Sequence, residues 1–370
     1  MPISTAAVDV TSAAQASALI PRVEAVKELA VDVEADSMHH FRARLCFVQL
    51  GFENDIVLVD PLASGVTLNG LQRTFADKSV TKIFHAAQGD LTYLAEAGVR
   101  VQGLFDTHRA VTLLGWPKVG LADLVLQICG ATLKKEHQQA DFSVRPLPNE
   151  LRDYIADDVR YLLDVGHAVR EACVAADILE EVLLDCDRLC DEATVRPDPV
   201  ASFEPKLPRG ELKGDALVRA WHIAQALNRL RHGWAEAEDL PTGRMLSNMA
   251  VVSIATRPPD NLRALAKAPG VRGQFIRQHG DEVLAVVRDF EAQAKAGTLP
   301  PMPEKPREHP RKKKREEALM QWRKGRGDRA QGDALGGVEQ WVARRTGPSR
   351  SEHERRIGPG AVPWRAAARA

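Results

Sequence analysis

Five residues of this 370-residue chain have types and spacings that could do chemistry together. Asp32 and Glu34 stand one residue apart in the apolar run LAVDVEA at 29–35. In a strand, alternation sends both carboxylates to one face and Val31 and Val33 to the other. Two such anions repel each other unless a cation lies between them, although a solvent-facing acidic stripe would read the same way. Asp90 begins the helical stretch GDLTYLAEAG, where an acid in the first turn is also ordinary capping and dipole chemistry. Tyr154 and Asp158 are spaced i, i+4 in helical sequence and so share a face, a pattern that surface charge can also produce. Taken together, the order Asp-x-Glu, Asp, Tyr, Asp is what a two-metal site requires. Mg2+ and Mn2+ take oxygen ligands, and two cations held close together need several anionic oxygens. No Cys or His cluster with zinc spacing competes.

These side chains need a scaffold, and the sequence supplies an α/β one. A short strand is expected at about 3–9, followed by a helix capped by Thr11 or Ser12. Runs at 29–35, 45–51 and 55–61 read as three strands whose short connections suit antiparallel pairing. The pattern then alternates: strand 82–86, helix 89–98, strand 103–107, and helices at 108–115 and 120–130. That succession predicts a mixed sheet flanked by helices. Residues 131–149 read as a loop, and a single long helix is expected from 151 to 173, with helical sequence to about 192. Four domain-level segments follow: a catalytic domain over 1–193, a proline-rich linker at 194–210, a module of about five short helices at 211–296, and a tail at 297–370. Breaks in the helical module are expected at RHG, LPTG, RPPD and APG.

Charge divides along the same lines. The chain carries 50 basic and 50 acidic residues, yet 1–190 has a net charge of −10, 191–299 of +1 and 300–370 of +9. A uniformly basic nucleic-acid coat is thereby excluded, but a basic arm is not. RKKKR at 311–315 and WRKGRGDR at 322–329 suit phosphate attraction, although a merely solubilising tail would look alike. Five cysteines without a CxxC pair argue against a disulfide framework and fit a cytoplasmic protein. The N-terminus lacks the basic start of a signal peptide, and no apolar run reaches the roughly 18 residues of a membrane span, so no membrane partner is expected.

Three stretches resemble one family. LAVDVEADSMHHFRARLCFVQLG, KIFHAAQGDLTYL and RPLPNELRDYIADDVRYLLDV are similar, in that order, to the three exonuclease motifs of ribonuclease D and its relatives. That is the tyrosine branch of the DEDD 3′–5′ exonucleases, on a ribonuclease-H-like fold. The resemblance implies that Asp32, Glu34, Asp90 and Asp158 are metal ligands for two divalent ions, Mg2+ or Mn2+, about 4 Å apart. It implies that Tyr154 positions the attacking water and that Glu34 approaches the terminal 3′-hydroxyl. Two departures stand out: Val33 replaces the usual Thr between the first acids, and Phe142 replaces a usual Trp before the third motif. Gln49 and His85 fall in family-like contexts, either as hydrogen-bonding core residues or as substrate contacts. His39 and His40 lie either in an exposed turn or near nucleic acid.

Residues 211–296 resemble the helicase-and-RNase-D C-terminal (HRDC) domain, in ALVRAWHIAQALNRLRHGWAEAEDLPTGRMLSN and LRALAKAPGVRGQFIRQHGDEVLAVV. EEALMQWRKGRGDRAQGD resembles the opening of a second such module whose remainder does not follow. The implied function is 3′–5′ exoribonuclease action on structured, 3′-extended RNA such as tRNA precursors, releasing nucleoside 5′-monophosphates. The rivals are a 3′–5′ exodeoxyribonuclease acting in DNA repair, with single-stranded DNA as its partner, and a non-catalytic RNA-binding scaffold.

Overall fold

The computed structural model describes residues 3, 6–134, 136–193, 195–208 and 210–303, together with 314, 315, 317, 318 and 321. Most of both basic clusters, at 311–313 and 322–329, and most of the second HRDC-like opening lie outside the described residues.

Three apolar runs form the expected antiparallel meander: β2 (Glu28–Ala35), β3 (Leu45–Phe52) and β4 (Asp55–Val59). β1 (Val8–Val10) joins β4 in parallel, while β5 (Thr81–Phe84) and β6 (Leu104–Asp106) extend the sheet in parallel beyond β2. The sheet order is β1-β4-β3-β2-β5-β6, so β2 is paired on both edges and held rigidly. β1 is shorter than the expected strand at 3–9. The Ile3 N–H donates to the Arg160 carbonyl and the Ile3 carbonyl accepts from the Arg160 guanidinium, so the backbone of Ile3 bonds to Arg160 and not to a strand.

Helices cover the sheet. Ser12 accepts from the Gln15 N–H and starts α1 (Ala13–Ala25). It is followed by α2 (Gln72–Ala76), α3 (Gln88–Glu96), α4 (Thr107–Leu113) and α5 (Leu121–Cys129). The single helix expected from 151 is in fact two, α6 (Asn149–Arg160) and α7 (Leu162–Ala175), broken at Tyr161. The break lets each helix take its own line. α6 packs over β2, β3 and β4, while α7 reaches β5, where a Cβ on Gly166 would meet Ile83 at 2.7 Å. α8 (Leu179–Glu192) closes this half against β6.

The helical module comprises α9 (Gly214–Glu238), α10 (Thr242–Met245), α11 (Asn248–Thr256), α12 (Leu262–Leu265) and α13 (Gly273–Ala296). The expected break at RHG does not occur, and α9 and α13 are long rather than short. Arg231 is buried, with its guanidinium donating to Asn228 Oδ1 and to the Leu246 carbonyl, which anchors that stretch inside the helix. Ile223, Leu227, Trp234, Ile254 and Val283 form a core separate from that of the sheet. Phe41, from the loop between β2 and β3, reaches across and packs on this second core. No helix among the described residues is long and apolar enough to cross a membrane.

Candidate active site

The site is built where three elements converge. β2 presents Asp32 and Glu34 on the face that α6 covers, and α6 presents Asp158 toward them. One carboxylate oxygen from each of Asp32, Glu34 and Asp158 lies within 4.8 Å of the others. Asp90 enters from the first turn of α3 and is close enough that its charge raises the Glu34 carboxyl. All four are half-buried.

Burial is the largest cause pushing each of the four carboxyls up, opposed at Asp32 by a hydrogen bond from the Val33 N–H. Mutual repulsion adds to it: Asp32 raises Glu34, Asp90 and Asp158, while Asp158 and Asp90 raise Glu34. Among the described residues, no Lys or Arg makes an ion pair with any of the four. Close anions that are partly desolvated and lack a basic partner fit divalent cations, whose charge would reverse the sign of each shift.

Tyr154 sits one helical turn before Asp158 on α6. Its ring stacks on Phe142, with centroids 6.2 Å apart and planes 18° apart, and meets the His137 edge at 5.8 Å. Phe142 therefore keeps an apolar contact where the family commonly has Trp. Burial and the nearby Asp158, Glu34 and Asp32 push the phenol well above its usual range, so it stays protonated. Beside it opens a cavity of about 310 Å³, lined in part by Lys134, Glu136, His137, Glu150 and Asp158.

The histidines and glutamine left open by the sequence are now placed. His85 Nδ1 lies 2.9 Å from Thr107 Oγ, and Thr107 donates to the Phe84 carbonyl. The imidazole Nδ1 must therefore donate to Thr107. Burial lowers His85 to about 4, so the half-buried ring is neutral and hydrogen-bonds Thr107. Gln49 is fully buried beneath the site, opposite Asp32 in the β2–β3 register. His39 and His40 do not lie in an open turn: His39 Nε2 meets the Gln139 carbonyl at 3.0 Å, and His40 Nδ1 meets Asp239 at 2.7 Å.

Sequence reasoning missed two residues that shape the site. Asp106 is fully buried and accepts from four N–H groups, those of Ala86, Ala87, His108 and Arg109. It thus caps α4 while fixing the turn that delivers Asp90, including Ala86 at φ 63°. An Asp between a strand and a helix was the available signal. His137 had none, because only the folded loop brings it to Tyr154. No disulfide joins the five cysteines, and Cys186 serves structure, with its sulfur accepting from the Asp106 N–H at 3.3 Å.

Comparisons with known proteins agree with this geometry. The family model for a 3′–5′ exonuclease matches residues 7–172, and that for an HRDC domain matches residues 222–287. Ribonuclease D of Gluconacetobacter diazotrophicus is 32% identical over 309 residues, covering 82% of this chain and 76% of the relative. The catalytic core of RRP6 from Trypanosoma brucei superposes with a TM-score of 0.65 at 25% identity, over 79% of this chain and 81% of that one. Escherichia coli RNase D, described as an exoribonuclease involved in structured RNA processing, superposes with a TM-score of 0.67 over 97% of this chain and 94% of that one. At 23% identity that last likeness speaks to the fold.

Proposed function

This chain belongs to the ribonuclease D family and is a 3′–5′ exoribonuclease, and from that premise we propose how it works. Asp32, Glu34, Asp90 and Asp158 hold two divalent cations, Mg2+ or Mn2+. The observation that carries this reading is the convergence of Asp32, Glu34 and Asp158 oxygens within 4.8 Å. Bound there, such cations supply Lewis acidity to the scissile phosphodiester and lower the pKa of a water.

The chain's own groups do the rest. Tyr154 has a hydroxyl that can orient the attacking water one helical turn from Asp158. Its ring, braced by Phe142, holds that hydroxyl in place. Glu34 faces the terminal 3′-hydroxyl. Water adds to phosphorus, the bond to the 3′ oxygen of the preceding nucleotide breaks, that oxygen takes a proton, and a nucleoside 5′-monophosphate leaves.

We assign residues 1–193 to the exonuclease domain, 194–210 to the linker, 211–296 to the HRDC domain and 297–370 to a basic tail that draws RNA toward an acidic catalytic half. The substrate is structured RNA with a 3′ extension, of which tRNA precursors are the expected natural case. Five cysteines outside any disulfide support a reducing compartment, the cytoplasm.

The test uses purified protein and Asp32→Ala with 3′-extended tRNA and matched single-stranded DNA, in Mg2+, Mn2+ or EDTA. The wild type should shorten the RNA from its 3′ end only with metal, and the variant should not. An inert wild type would overturn the metal-site reading, and degradation of DNA but not RNA would overturn the substrate.

A further inference from the structure

We propose that His40 is a positioning residue through which the helical module sets the geometry of Tyr154, so that the module acts on the chemical step. The proposal rests on the water-positioning role given to Tyr154 above.

The contacts form one continuous chain. Asp239, just past the end of α9, accepts from His40 Nδ1 at 2.7 Å and from the Phe41 N–H at 3.1 Å. His40 Nε2 meets Ser143 Oγ at 3.1 Å and Asp141 at 3.5 Å. Ser143 donates from both Oγ, at 2.6 Å, and N, at 2.9 Å, to Asp141 Oδ1. Between these two residues lies Phe142, which is buried and stacked on Tyr154. His39 adds a parallel tie from the same turn to the Gln139 carbonyl. Three segments far apart in sequence thus meet at one imidazole, and the last of them backs the Tyr154 ring.

Hydrogen-bond bookkeeping fixes the charge of that imidazole. The single Ser143 hydroxyl proton is committed to Asp141, so Nε2 must donate to Ser143. Nδ1 already donates to Asp239. His40 is therefore an imidazolium in the joined state. Asp239 at the end of α9, Asp36 at the end of β2 and Asp141 in the loop all face it, and Arg44 sits opposite, paired with Asp36. The Asp239 hydrogen bond is the largest cause raising His40 above its usual value. The joint is accordingly complete at lower pH and is lost as pH rises through that raised value.

An RNA-binding role for the module alone makes a different prediction, and a dinucleotide separates the two. A dinucleotide carries only the scissile linkage, so contacts to the module cannot contribute to its turnover. The experiment measures kcat and KM on a dinucleotide and on 3′-extended tRNA for full-length wild type, His40→Ala, Asp239→Ala and the double variant, with Mg2+ affinity by calorimetry. The expected result is a roughly tenfold loss of kcat on the dinucleotide in each single variant, with KM and Mg2+ affinity nearly unchanged. The double variant should be no worse than either single one. His40→Gln, which can still bridge two partners, should recover part of the loss and flatten the alkaline decline in kcat. Arg42→Ala removes an exposed ion pair to Glu236 and a cation–π contact with Phe41 across the same joint but none of the His40 hydrogen bonds, and should leave kcat unchanged. Unchanged dinucleotide kcat in His40→Ala, with a raised KM on tRNA, would overturn the proposal in favour of RNA binding alone. A joint fall of kcat, Mg2+ affinity and melting temperature would overturn it in favour of a folding role. Inactive wild type would instead reject the nuclease reading itself.

Discussion

Gln49 stands directly opposite Asp32 across the β2–β3 ladder, on the same face, with both atoms of its buried amide lacking a hydrogen-bond partner among the described residues. A buried amide without partners costs about 1–3 kcal/mol. Gln49→Leu is therefore expected to leave the metal-free protein as stable as wild type or more so, by urea unfolding in EDTA. A loss above about 2 kcal/mol would mean that a buried water satisfies the amide.

The carboxylate cluster trades stability for function. Asp158→Asn removes one of several mutually repelling charges while preserving shape. In EDTA its melting temperature should exceed that of wild type by about 2–4 °C for each ~1 kcal/mol of relieved repulsion. With Mg2+ the order should reverse, because only wild type keeps its full set of ligands, and turnover by the variant should be lost. Calorimetric scans with and without metal check both halves; an unchanged midpoint in EDTA would contradict the repulsion.

The pH dependence has a definite sign. Folding raises Asp32 from its ordinary 3.8 to about 7. A carboxyl raised by folding binds its proton more tightly in the folded chain, so stability falls as pH climbs from the unfolded value through the raised one. In EDTA, wild type should therefore lose stability relative to Asp32→Asn between about pH 4 and pH 7. Saturating Mg2+ should abolish that difference in slope, since metal takes the place of the proton. Parallel melting curves across this range in EDTA would refute the burial argument.

Much of this site was legible because its parts are local. Asp32 and Glu34 need only strand alternation, and Tyr154 and Asp158 need only one helical turn, so spacing placed each pair on a face. What spacing could not carry was long-range. His40 looked like a residue of an exposed turn because its partners, Asp239 and Ser143, lie 199 and 103 residues away. The break at Tyr161 was hidden for a similar reason. Helical periodicity continues through it, and the need for α6 and α7 to follow different lines over the sheet arises only once the sheet exists. At RHG the error ran the other way, since a buried Arg231, bonded within the helix to Asn228 and outside it to the Leu246 carbonyl, sits in a stretch that stays helical where local propensity would have ended it.

The role proposed for the basic tail is read from the salt dependence of RNA binding. A chain ending at residue 300 lacks 18 basic and 9 acidic residues of the full chain. If the tail engages phosphates, log affinity for RNA against log salt should become shallower by about 0.7 for each single-strand phosphate that the shortened chain no longer neutralises. Fluorescence anisotropy over a salt series measures this, and an identical slope would reduce the tail to a solubilising role.

Tyr154→Phe isolates the hydroxyl from the ring. The stack on Phe142 and the edge contact from His137 involve the ring and should survive, so the melting temperature should barely move. The metal ligands proposed above are the four carboxylates, so on that reading Mg2+ affinity by calorimetry should also hold within about twofold. Only the group that orients water is removed, and a positioned polar or proton-handling group is typically worth about 10²–10⁴ in rate. The expected outcome is a fall in kcat of about a hundredfold at constant KM, because the hydroxyl acts on the water and not on the bound RNA. Tyr154→Leu should cost more, since it also removes the stacked face that packs the middle of α6 against Phe142 of the preceding loop. If Phe and Leu were equally damaging, the ring's packing and not its hydroxyl would be the contribution, and water would have to be oriented by another group, such as His137, whose ring meets that of Tyr154 at 5.8 Å.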